Sequence, residues 1–154
     1  MTAMLNGKLA EYNTLERSLA KMDGAVLAAA DNLFTITGGP IMVTQFVGIV
    51  TTLVVGNANM TIQLTTTTPA ATVALSTTVA INDDAAGTSY TFTAADPAVL
   101  TPTEAGVLVN VPVVKWLCPV GTISALGSAA RVGVIAWYMT YIPLSPACVV
   151  TVAV

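Results

Sequence analysis

Between Asp31 and Asp83 this chain carries no charged side chain. A segment of that length has only hydroxyl, amide and apolar groups to turn toward water, so most of it has to be covered. Two environments do this: a lipid bilayer, or a packed core of strands. A bilayer span needs about 20 mostly apolar residues in a row. The best candidate, 41–55, contains Thr44, Gln45, Thr51 and Thr52, and it stops at the turn signal Gly56-Asn57-Ala58-Asn59. Its β-branched content favours a strand. The apolar run from Val132 is broken by Pro143 and Pro146, and no Lys/Arg bias marks a cytoplasmic side. A membrane protein is therefore not expected, and a buried β core is.

Periodicity agrees. Met60, Ile62 and Leu64 alternate with Thr61, Gln63 and Thr65. Val73, Leu75, Val79 and Ile81 share a face, as do Val107, Val109, Val111 and Val113, while Tyr90 and Phe92 alternate with threonines. A period of two marks strands with one face buried. Segments 41–55 and 132–142 differ, because they are apolar on both faces. One face can meet the domain's own core, and the other needs a second cover. Turn signals at Gly38-Gly39-Pro40, Thr68-Pro69, Asn82-Asp83-Asp84, Asp96-Pro97, Thr101-Pro102 and Gly127-Ser128 divide the chain into roughly eight strands. The expected fold is mainly β, a jelly-roll-like sandwich or barrel over residues 31–154.

Residues 4–23 read differently. Leu5, Leu9, Tyr12, Leu15, Leu19 and Met22 recur at steps of three or four, with Lys8, Glu11, Glu16, Arg17 and Lys21 largely elsewhere. That spacing predicts a short amphipathic helix, ended by Gly24, within an N-terminal arm over residues 1–30. It lies on its own domain, docks on a neighbouring subunit, or pairs with its symmetry mates. Its charges are spread through the segment, so a secretory leader is not expected.

Charged residues make up 8% of the chain and apolar ones 55%, against a usual charged share of about 25%. So few charges cover a lone monomer poorly, which predicts contact with companions. Net charge is −3, and Lys115 and Arg131 are the only basic residues after Lys21, so nucleic acid is not an expected partner. No histidine is present, which removes the commonest general base, the usual triads and most zinc sites. Asp83-Asp84 reads as a solvated turn, since a calcium loop needs more oxygen ligands. No catalytic, cofactor or metal site is expected. Cys118 and Cys148 read as free, buried thiols. Asn59-Met60-Thr61 matches a glycosylation acceptor, but nothing else points to secretion. The aromatic group Trp116, Trp137, Tyr138 and Tyr141 serves either as core or as interface anchors. With Arg131 and the helical Leu5, Leu9, Tyr12 and Leu19, it makes up the candidate interface.

The runs LFTITGGPIMVTQFVGIVTT, DDAAGTSYTFT, PAVLTPTEAG, WLCPVGTISA and WYMTYIPLSP resemble small virion-associated proteins of tailed bacteriophages, over roughly residues 31–146. The resemblance implies a non-enzymatic capsid decoration (cement) protein on the capsid surface. It implies a homo-oligomer, a trimer foremost, seated on the major capsid protein where capsomers meet. Another virion part, such as a tail-tube, head-fibre or adhesin subunit, is the alternative. Family resemblance transfers no active-site residue.

Overall fold

The computed structural model describes residues 17–22, 30–93, 97–106, 111 and 113–153. Every regular element among them is a strand. In chain order these are β1 (Arg17–Met22), β2 (Ala30–Thr37), β3 (Ile41–Val55), β4 (Asn57–Thr67), β5 (Ala70–Ala74) and β6 (Val79–Asn82). There follow β7 (Ser89–Phe92), β8 (Leu100–Thr103), β9 (Trp116–Cys118), β10 (Gly121–Gly127), β11 (Val132–Pro143) and β12 (Val149–Val152). They build two six-stranded sheets in which the named strand pairs are all antiparallel. The first sheet has the order β1-β11-β3-β7-β8, with β9 also on β3. The second has the order β12-β2-β10-β4-β5, with β6 also on β4.

The mainly-β expectation holds. The helix over residues 4–23 is corrected where it can be followed. Arg17–Met22 is a strand, registered from Arg17↔Tyr141 to Met22↔Ala136 on β11, and residues 4–16 and 23 lie outside the described ones. Local spacing is a weak prior on a segment this short. The open backbone edge of β11 offers β1 a full ladder of hydrogen bonds, and an unpaired strand edge is costly when covered. Of the expected 107–113 strand, 107–110 and 112 lie outside the described residues, while Val111 and Val113 are not in a strand.

Alternation in β4 puts Met60, Ile62 and Leu64 in the core. The expected 73–81 face is split into β5 and β6, which share one flank of β4. Ser76 makes the split. Its buried hydroxyl accepts the Ile62 N–H at 2.9 Å, replacing a ladder bond. Phe46 on β3 is the hub of the core. Its ring meets Phe34 of the second sheet at 5.8 Å edge-on, and Phe92, Trp116 and Trp137 of the first at 5.4, 5.7 and 5.5 Å. Phe34 and Phe46 thereby join the inner faces of the two sheets. Such edge and tilted contacts add about 0.5–1.5 kcal/mol each beyond area burial.

Candidate interaction surface

Strands β3 and β11 run side by side almost throughout their length, from Ile41↔Pro143 to Val55↔Val132. Their inner residues are buried: Ile41, Val43, Phe46, Val50 and Val54 on β3, with Ile135, Trp137, Met139 and Tyr141 on β11. Alternation therefore turns the remaining residues outward. Directly opposed residues share a face, and the register groups them into rows. Leu117, Met42 and Ile142 form one row, Gln45 and Thr140 the next, then Val47 and Tyr138, then Ile49 and Ala136. Leu117 is 66% exposed and Tyr138 39%. Met42, Val47, Ile49, Val134 and Ile142 are half-buried, and Ala136 is fully buried. No member of these rows is charged. The outward face of β3 and β11 is thus an apolar strip, with Gln45, Thr140 and the Tyr138 hydroxyl among its polar points, Ser89 of β7 beside Ile49, and the exposed Lys115 on the same side as Leu117 at its end.

The sequence-derived candidates distribute unevenly around this strip. Tyr138 stands in it. Trp137 and Tyr141 point the other way and are spent in the core, at 1% and 3% exposure. Trp116 is half-buried, with its ring against Phe46 and Phe92. Leu19 sits on β1 in register with Met139. Leu5, Leu9 and Tyr12 lie outside the described residues. Arg131 immediately precedes β11, and its guanidinium donates to the carbonyl oxygens of Asn57 and, at 2.9 Å, Ala130. It lines a shallow apolar recess with Val55, Ala130 and Val132. Val134 and Tyr138 share one sequence-derived face of 132–142, whereas Met42, Val47, Ile49, Ile142 and Leu117 are not among the interface candidates read from sequence. The signal was there in the double-faced apolar pattern, but alternation alone does not say which phase turns inward.

The acidic turn has structural work. Asp83 Oδ1 accepts the Gly56 N–H at 2.7 Å, and Asp84 accepts the buried Tyr90 hydroxyl. Among the described residues no group of three or more Cys, Asp or Glu side chains is placed to hold a metal ion. Cys118 and Cys148 are both buried and neither is in a disulfide, and burial pushes the Cys118 thiol up to about 12. A thiol so protonated is a poor nucleophile. Asn59 lies within β4, its N–H bonded to Ser128 Oγ at 2.9 Å. No helix among the described residues is long and apolar enough to cross a membrane.

No family model, curated protein or solved structure matches this chain.

Proposed function

We propose that this chain is a non-enzymatic structural subunit of a virus particle, of the capsid decoration type, which acts by packing against copies of itself and against the major capsid protein. The observation that carries the reading is the charge-free outward face of β3 and β11, centred on Val47 and Tyr138. Apolar area removed from water contributes about 25 cal/mol per Å² before association costs are subtracted. An uncharged, largely apolar sheet face with a tyrosine at its middle suits the core of a protein interface, where charges are depleted and Tyr and Met enriched. A trimer closed around this face is the favoured assembly, since a cyclic arrangement covers it in every copy.

The strand order supports a jelly roll. From β1 to β4 the chain alternates between the two sheets. Later, β10 inserts between β2 and β4, and β11 between β1 and β3. This interleaving is what a long folded-over hairpin produces when it wraps into two sheets.

Light scattering on the purified chain, paired with co-sedimentation on undecorated phage heads, tests the reading. A trimer mass and saturable binding at hundreds of copies per head are expected. A handful of copies would move the subunit to the tail or portal. A stable monomer without affinity for any particle would overturn the proposal.

A further inference from the structure

Six described strands have a neighbour on one side only: β1, β8 and β9 in the first sheet, and β5, β6 and β12 in the second. β6 runs into Asp83-Asp84, and β9 is flanked by Lys115 and Pro119. β1 carries Arg17 and Lys21, and β8 carries Pro102 with Glu104 just beyond it. β12 lies next to β1 of the other sheet. Charges, proline and covering elements are the usual means by which sheet edges avoid joining other chains. β5 has none of them within its span, although Pro69 stands in the turn just before it. Its sequence is Ala-Ala-Thr-Val-Ala, all five residues are exposed, and the nearest charged residues along the chain are Asp31 and Asp83. It pairs with β4 on one side.

We propose that the free edge of β5 binds β5 of a second copy, antiparallel, about a two-fold axis at Thr72. This goes beyond the decoration reading and does not depend on it. Three features fit that occupant. The edge is self-complementary: an axis at Thr72 sets Ala71 opposite the partner's Val73 and Ala70 opposite the partner's Ala74, so the largest side chain meets a small one. Val73, 54% exposed although it shares the row of buried Leu64, gains a cover. Thr72 also ends a row of threonines that crosses the whole second sheet, through Thr151, Thr35, Thr122 and Thr65. The Thr65 and Thr72 hydroxyls are 3.2 Å apart, and the axis continues this hydroxyl row into the second copy. Opposed threonines are a favourable cross-strand pair. No charge on either strand opposes the approach.

Pairing of this kind joins subunits in twos. Combined with a closed ring at the opposite sheet, it gives a net instead of a discrete particle.

The test is a disulfide across the axis. Thr72→Cys in the full chain, under mild oxidation, is expected to give a covalent dimer, because directly opposed strand residues fall within disulfide reach. The native cysteines are buried and do not compete. Val149→Cys, on the exposed part of β12, is expected to stay monomeric on a non-reducing gel. Two double variants then separate pairing from folding. Ala71→Lys with Val73→Lys sets like charges opposite each other twice and weakens Thr72→Cys cross-linking about tenfold. Ala71→Lys with Val73→Glu sets opposite charges there and restores it. The cross-link reports this contact alone, so it stands or falls whatever the outward face of the first sheet does. No dimer from Thr72→Cys, faster cross-linking through Val149→Cys, or equal rates in the two double variants would each overturn the proposal.

Discussion

The ring of Trp137 on β11 lies over Gly48, its register partner on β3, so closely that a Cβ at Gly48 would sit 2.7 Å from the ring. Glycine is required at this position by space, not by backbone conformation. The indole fills the hole left by the missing side chain, and from there it reaches Phe46 and Tyr90. Gly48→Ala is therefore expected to destabilise the fold by about 1–3 kcal/mol, the usual cost of overpacking a core. Urea unfolding of the two proteins measures this. An unchanged midpoint would mean that the ring yields freely.

The Tyr90 phenol is held protonated well above the ordinary tyrosine value, by burial first and then by its hydrogen bond to Asp84 and the charge there. Burial alone raises Cys118, to about 12. Both groups lose protons more readily in the unfolded chain. Their contribution is fully present below the unfolded values, near 9 for the thiol and 10 for the phenol, and it is lost as pH rises above them. Stability is expected to be flat from pH 7 to 9 with respect to these groups and to fall between pH 9 and 12. In Tyr90→Phe the alkaline fall is shallower. That variant also loses about 1–2 kcal/mol at neutral pH, because Asp84 is left without its donor. Urea midpoints across this range decide the matter, and a wild-type midpoint that is level to pH 11 contradicts it.

The turn between β3 and β4 is gripped from two sides. Asp83, itself at φ +52°, accepts the Gly56 N–H, while the Arg131 side chain lies against Gly56 and donates to Asn57. Gly56 is at φ +91°, where a side chain is strained. Asp83→Ala removes the acceptor and also puts a residue poorly suited to positive φ at position 83. A loss of about 1–2 kcal/mol is expected. Asp83→Asn keeps an oxygen acceptor and tolerates the same backbone, so it should lose less than half as much. Thermal unfolding of both variants tests the comparison. Equal losses would show that the carboxylate charge, and not the hydrogen bond, is what matters.

The sequence made the strand class legible because alternation is local. Met60–Leu64 shows it within five residues, and the same pattern holds in β4. Residues 17–22 imitate a helix for the same reason. Leu19 and Met22 fit a helical spacing, but what sets β1 is the edge of β11, more than a hundred residues away. Trp137 and Tyr138 show the limit most directly. Adjacent aromatics on a strand must face opposite ways, so one is core and the other is surface. Only the neighbouring strands decide which, through Gly48 beneath the indole and Val47 beside the phenol. The β5 edge was hidden too, because freedom from a partner is a property of the whole sheet.

Tyr138 and Val47 stand opposite each other at the middle of the outward strip. If copies meet there, a charge at either position must be buried without a partner, which costs several kcal/mol per ion. Tyr138→Glu and Val47→Glu are each expected to reduce self-association through this face by at least about a hundredfold, equivalent to about 2.7 kcal/mol. Tyr138 is 39% exposed in the single chain, so its replacement there should shift unfolding only slightly, by about 0.5 kcal/mol. Trp137→Ala is the contrasting case. It opens the core beside Phe46 and should cost about 3–5 kcal/mol of folding stability. Sedimentation equilibrium for mass and urea unfolding for stability separate the two effects. Undiminished association in both glutamate variants would exclude this face as the meeting surface, whatever the subunit assembles with.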